Sequence, residues 1–328
     1  MACFRSFEER LGSGAQLSIH FALLSPSGQL IKQDGYHFDR SMPMASTVKI
    51  AIALLVLKRV FADHAFSPDT SITIKNEDFV PGPPWNSLDR YFFFPWAIQK
   101  RKTIDELLTL MLCESDNTAT DKLLALVGGA SAVNSLIHDL GVRDFYLASN
   151  LRRLLAHYYS FPGHKSVINS MRVLWTFMSA FRMRSTEYRL FDAGMDACSA
   201  RGMTQLLSLI VTASLKTDDT WITKASQVLC LKMQGCRTGF ALIRQGLRAS
   251  FSHQPIIGDK TGSLGGILND VAHIHMPTGY WVMLSILTAR SPLGKKHRQR
   301  VVSEVTQHIF HRNIHPWVME HRSGCGPM

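Results

Sequence analysis

The sequence predicts an α/β fold of the α+β kind: a five-stranded antiparallel sheet flanked by helices, with an all-helical part inserted between the strands. Three observations predict it. Two strand-like runs stand near the start of the chain, three more stand near its end, and the stretch between them is helical in pattern. No internal repeat or low-complexity tract interrupts that order.

Taken in order, residues 4–11 read as a short helix ended by Gly12 and Gly14, and 16–24 as a strand. Pro26-Ser27-Gly28 forms the turn to an antiparallel return over 29–36. From Ser46 the pattern changes to Val48, Ile50, Ala51, Ile52, Leu54, Leu55, Val56 and Leu57, a helix apolar nearly all round and therefore interior. Further helices are expected over 103–112, entered through Thr103, Asp105 and Glu106, then over 118–126, 131–140 and 202–215. Glycines at 128–129 and 141 stop two of them. Strand signals return at 255–260, 267–275 and 280–289, separated by Gly262–Gly266 and by Pro277-Thr278-Gly279, and a last helix covers about 296–311. The expected organisation is one catalytic unit over 1–328. Residues 1–45 plus about 230–328 form its α/β part, and about 46–229 its helical part, with an extra segment near 148–185.

A chain of 328 residues, 46% hydrophobic and 19% charged, has the means to bury a large core. Its net charge of +11 raises nucleic acid as a partner, but the basic residues are scattered and the densest cluster, 295–300, is brief. No nucleic acid is expected; a positive cleft suits small anions instead. The apolar runs, such as 50–57, are too short to span a bilayer, and a monomer is expected. Glu8 and Glu9 stand where a secretory leader needs a basic and then an apolar run, so no export signal is expected and the compartment is open. The six cysteines have no zinc spacing and read as buried free thiols, with a Cys230–Cys236 bridge as the alternative. His273 and His275 share a strand face but lack a third ligand, so neither metal nor cofactor is expected.

Three short elements point to chemistry. In Ser46-Thr47-Val48-Lys49 the two polar side chains are one helical turn apart, so an amine can take the proton of a hydroxyl that is otherwise a poor nucleophile. One Ser-x-x-Lys is expected by chance in a chain this long, so alone it carries little weight. Ser115-Asp116-Asn117 lies between two helices, where a hydroxyl and an amide can relay a proton and hold a substrate; helix capping accounts for Asp116 either way. Lys260-Thr261-Gly262 ends a strand with a cation and a hydroxyl beside a glycine that admits a ligand closely. Each occurs once, in this order, each in a fitting context.

Together they resemble the class A β-lactamase family of penicillin-recognising serine hydrolases. The resemblance extends over 38–49, over 115–124 with Gly128-Gly129 and Leu140-Gly141, and over 259–263 with Asn269-Asp270-Val271-Ala272. It implies a serine hydrolase that opens β-lactam rings through an acyl-enzyme on Ser46. Lys49 would serve in proton transfer, and Ser115 would pass a proton to the leaving nitrogen. Asn117 would hold the acylamide group, and Lys260, Thr261 and Ser263 would bind the carboxylate. Backbone N–H groups of Ser46 and Ser263 would form the oxyanion hole. The family's deacylating glutamate belongs to a Glu-x-x-Leu-Asn loop. Between Phe145 and Asp196 this chain is longer than the family norm, and its one glutamate there is Glu187, followed by Leu190 and then Phe191. Arg184 and Asp196 would close that loop as an ion pair. The carboxylate-binding arginine is open among Arg244, Arg248, Arg290 and Arg298. The alternatives are a D-Ala-D-Ala-type peptidase or esterase of the same fold acting on D-peptide-like substrates, and a penicillin-binding sensor that acylates and stops. The family is usually periplasmic or secreted.

Overall fold

The computed structural model describes residues 2–80, 100–158, 194, 196–248, 251 and 254–320. Helix α1 (Ala2–Arg10) leads into strands β1 (Gln16–Leu24) and β2 (Leu30–Tyr36). A 3-10 turn, Ala45–Val48, opens directly into α2 (Lys49–Phe61). A small hairpin of β3 (Ser71–Ile74) and β4 (Lys100–Thr103) precedes α3 (Ile104–Cys113), α4 (Asn117–Leu126) and α5 (Gly129–Asp139). There follow β5 (Tyr146–Leu147), α6 (Leu151–Tyr158), β6 (Asp196–Ala197), α7 (Ala200–Ser214), α8 (Trp221–Gln234) and α9 (Ile243–Arg248). Strands β7 (Ile256–Leu264), β8 (Ile267–His275) and β9 (Trp281–Ala289), then α10 (Lys295–Ile309) and α11 (His315–Glu320), complete the chain.

The five long strands form one antiparallel sheet in the order β2-β1-β9-β8-β7, so the first and last parts of the chain meet at the β1–β9 seam. The expected sheet is therefore the observed one. Side chains alternate along β1. Leu17, Ile19, Phe21 and Leu23 face a core shared with α1 and α10, whereas Ala22 and Leu24 face the core built on α2, α3, α4 and α7. Both faces of the sheet are thus covered by helices, and β8 and β9 are buried almost throughout.

Local chemistry sets the helix ends. Thr103 caps α3: its hydroxyl accepts from the Glu106 N–H while the Glu106 carboxylate accepts from the Thr103 N–H, a reciprocal box that satisfies two end donors. Ser199 accepts from the Gly202 N–H at the start of α7. The nearly all-apolar pattern after Ser46 yields α2, of which ten of thirteen residues are buried, as expected of a helix in the middle of a domain.

Two differences from the sequence reading concern the elements around the site. The helix expected from Ser46 begins as a tight 3-10 turn, and α-helical geometry starts only at Lys49. The strand expected to stop at 260 runs on through Gly262 to Leu264, pairing Gly262 with Asn269 and Ser263 with Leu268. Gly262 is not a break but a strand residue that a close neighbour requires to be small. Cys113, Cys198, Cys230 and Cys236 are buried free thiols and Cys3 is exposed, so Cys230 and Cys236 form no bridge.

His273, fully buried on β8, has its pKa pushed down to about 4 by burial and stays neutral in the fold. An unfolded histidine titrates near 6.5, so between those values the unfolded chain binds the extra proton and stability falls as pH falls. Urea midpoints should drop by an amount equivalent to roughly 3 kcal/mol between pH 7 and pH 4 from this residue. His273→Gln should flatten that slope; an unchanged slope would assign acid sensitivity elsewhere.

Candidate active site

The segment before Ser46 is clamped from three sides. Met42 exchanges backbone hydrogen bonds with Cys198, 3.0 Å each way. Asn269 on β8 donates its amide to the Pro43 and Met44 carbonyls at 2.7 and 3.2 Å, while its own amide oxygen accepts from the Thr288 N–H at 2.9 Å. The Asp196 carboxylate accepts from the Ala45 N–H. Held so, Ala45 takes a left-handed φ of 48°, a costly conformation for a residue with a Cβ, immediately before Ser46. Ser46 itself is half-buried at the start of the turn, with Lys49 one turn on, fully buried.

Strand β7 is the edge of the sheet, so one side of its backbone is free to face the turn that carries Ser46. Gly262 is what lets it come close. A Cβ there would lie 2.6 Å from the Met44 carbonyl oxygen and 3.1 Å from the Ser46 nitrogen.

The third element arrives between α3 and α4. Ser115 has a φ of 60°, and Asp116 caps α4 by accepting the Ala119 N–H at 2.7 Å. Two buried lysines converge on the Ser115 hydroxyl. Lys49 Nζ lies 3.1 Å from Ser115 Oγ and also donates to the Ser115 carbonyl at 2.6 Å and to Asn117 Oδ1 at 2.8 Å. Lys260 Nζ donates to Ser115 Oγ at 3.0 Å and to the Thr261 carbonyl at 2.9 Å. Burial lowers the pKa of Lys260, partly opposed by the nearby Cys236 thiol and the Asp259 and Asp270 carboxylates.

Lys49, Ser115, Asn117 and Lys260 therefore meet through direct hydrogen bonds, from three stretches of chain. Thr261 is buried beside them and Ser263 is exposed further along the same edge strand. Glu187 and Arg184 lie outside the described residues. Asp196 is buried, and burial pushes its pKa up to about 7. Leu147 pairs with Asp196, so the neck of the long loop between β5 and β6 is closed by a two-residue ladder.

Among the four arginines left open, Arg244 is committed to structure: it pairs with the buried Asp259 at 2.6 Å and donates to the Gln234 and Ile257 carbonyls at 3.1 and 2.9 Å. Arg298 is buried in α10, and Arg248 lies over the Phe240 ring at 6.0 Å. Sequence reasoning missed Thr238, whose hydroxyl is 2.6 Å from that of Thr261, and Cys236, whose sulfur is 3.4 Å from Thr238 Oγ1. Their only sequence signal is that polar residues follow α8 shortly before the third motif, which is too weak to select them.

A serine at a tight helix start, two buried amines about a second serine, and a cation-bearing sheet edge define a serine hydrolase of the β-lactamase type. A family described as the β-lactamase enzyme family matches residues 11–312. The chain is 26% identical to β-lactamase Toho-1 of Escherichia coli over 289 residues, 88% of this chain and 80% of that one. It is 23% identical to β-lactamase VEB-1 of Pseudomonas aeruginosa over 275 residues, 82% and 77% of the two chains. The fold superposes with a TM-score of 0.69 on a β-lactamase from Chitinophaga pinensis, at 20% identity with 95% and 99% of the two chains covered. A reconstructed last common ancestor of the Gram-negative class A β-lactamases gives 0.68, at 23% identity with 94% and 97% covered. The chain belongs to the β-lactamase enzyme family, of the class A type, and is a serine β-lactamase-like hydrolase.

Gly262→Ala should push the turn carrying Ser46 off the strand. Covalent labelling by benzylpenicillin, followed by intact mass, should then slow by on the order of 10²-fold, the cost of an ångström-scale misplacement. Labelling at the parent rate would show that the close approach of β7 is not needed.

Proposed function

We propose that the enzyme opens β-lactam rings through an acyl-enzyme formed on Ser46. The observation that supports this best is the Ser115 hydroxyl held between Lys49 Nζ and Lys260 Nζ, at 3.1 and 3.0 Å, beside the turn that bears Ser46. Lys49 takes the Ser46 proton as Oγ attacks the lactam carbonyl. The N–H groups of Ser46 and Ser263 receive the developing oxyanion. The C–N bond then breaks, and the Ser115 hydroxyl gives its proton to the departing nitrogen and regains one through the neighbouring amines. Asn117 holds the substrate's acylamide group. Lys260, Thr261 and Ser263 hold its carboxylate along the free edge of β7. Water, activated by Glu187, releases the product. Family membership favours β-lactam turnover, and with it antibiotic resistance, over a D-peptidase or esterase reaction. The loop that differs most from the family pattern favours the other reading, a penicillin binder that acylates and hydrolyses slowly: Glu187 is its one glutamate and Phe191 replaces the expected Asn.

Incubation with benzylpenicillin should add one penicillin mass to the protein, and Ser46→Ala should abolish the adduct; labelling that persists in the variant rejects Ser46. Glu187→Ala should trap the acyl-enzyme, with steady turnover of a chromogenic cephalosporin replaced by a single stoichiometric burst. Unchanged turnover removes Glu187 from the mechanism.

Because burial lowers the Lys260 pKa, its ammonium is lost at a pH below the usual 10.5, and carboxylate binding goes with it. KM for benzylpenicillin should rise on the alkaline side before that pH. Lys260→Arg should hold KM flat there, since guanidinium does not titrate in that range.

A further inference from the structure

We propose that a cavity between β1, β2 and α7 is a second binding site, which takes an uncharged small molecule with an apolar body and a hydroxyl group. It lies toward the β2 edge of the sheet, whereas the catalytic cleft is at the β7 edge, so it goes beyond the reaction on Ser46.

The cavity follows from how α7 is tied to the sheet. Thr204, Ser208 and Thr212 recur every fourth residue and so share one face of the helix. The outer two reach across to the strands. The Thr204 hydroxyl lies 2.9 Å from Ser285 Oγ and 3.3 Å from the His20 carbonyl, and Thr212 donates to the Gly28 carbonyl at 3.2 Å. Ser208, between them, bonds back to its own helix through the Thr204 carbonyl at 2.9 Å. The helix is thus pinned to the sheet at two points and stands off it between them. The space left is about 440 Å³, a size typical of small-molecule sites.

The lining selects the ligand. Alternation along β1 puts His20, Ala22 and Leu24 on the face that α7 covers, and all three line the cavity together with Val142. Leu30 and Leu209 also line it, yet they are 55% and 40% exposed, so apolar surface faces water there. No lysine, arginine, aspartate or glutamate contributes to the lining. An ion would lose hydration here without gaining a charged partner, whereas an apolar body gains by covering the two leucines. The polar requirement comes from His20. It is 2% exposed, burial pushes its pKa down to about 4, and its Nδ1 has no hydrogen-bond partner among the described residues. A buried polar atom left unpaired is costly. A hydroxyl suits either tautomer of a neutral imidazole, because it both donates and accepts.

The test titrates the full chain with two probes, 2-phenylethanol and ethylbenzene, which share a body and differ in the hydroxyl. Binding is followed residue by residue through amide chemical shifts. Both probes should give saturable shifts centred on 20–24, 30–33 and 204–212, with 2-phenylethanol the tighter. Ser208→Trp fills the cavity and should abolish saturation while the melting temperature holds. His20→Phe should weaken 2-phenylethanol about tenfold, the scale of one buried hydrogen bond, and leave ethylbenzene within about twofold. Leu209→Asp, at an exposed position, should weaken both probes severalfold, and it reads the same cavity should Ser208→Trp fail to fold. Saturating benzylpenicillin should leave the titrations unchanged. No saturable binding, shifts centred on other residues, competition by benzylpenicillin, Ser208→Trp or Leu209→Asp that binds like the parent, or equal effects of His20→Phe on the two probes each overturn the proposal. None of these outcomes bears on the acyl-enzyme at Ser46, which the penicillin adduct tests separately.

Discussion

Taking a lysine side-chain nitrogen out of water is among the costliest things a fold can do, and this one does it twice within one cleft. Lys49 and Lys260 are both fully buried, and the Ser115 hydroxyl is the acceptor they share. Each has further oxygen acceptors: the Ser115 carbonyl and Asn117 for one, the Thr261 carbonyl for the other. Neither amine can be satisfied by its own segment alone. The start of α2, the turn between α3 and α4, and the edge of β7 must therefore be in place together. The packing of the helices against the sheet and the geometry of the site are in this sense one constraint.

Much of the surrounding structure serves that meeting. Asn269, Cys198 and Asp196 grip the backbone before Ser46 and hold Ala45 in a conformation it would not adopt freely. Gly262 lets the edge strand lie against the same turn. Arg244 neutralises Asp259, the residue just before Lys260, so that the buried cation stands next to a paired carboxylate rather than a free one. The left-handed backbone at Ala45 and Ser115 flanks the cleft, and the packed cores on both faces of the sheet oppose its relaxation.

The chemistry that follows is a matter of proton placement. In the proposed reaction, the Ser46 hydroxyl, the Lys49 amine and the Ser115 hydroxyl in contact with two amines supply a route for a proton from the attacking oxygen to the leaving nitrogen. In the same proposal, the edge of β7 offers extended backbone and the Lys260 cation to the rest of the substrate. The stretch between β5 and β6 carries Glu187 and Phe191, and the buried thiol of Cys236 lies near Thr261 of β7 through Thr238.

The amino-acid sequence by itself determined the five long strands, the interior helix after Ser46, the helices on either side of the second motif and the three motif segments, because alternation, helical periodicity and glycine breaks are local properties. It also marked the side chains proposed to act, since a hydroxyl and an amine one turn apart carry their chemistry wherever the helix lies. Only the tertiary structure decided that Ser115 lies between both lysines, that Gly262 continues a strand rather than ending it, and that Arg244 is tied to Asp259. It alone brought Cys236 and Thr238 into line with Thr261. Each of these depends on a contact between residues far apart in the chain, and neither period nor propensity encodes distance across a fold.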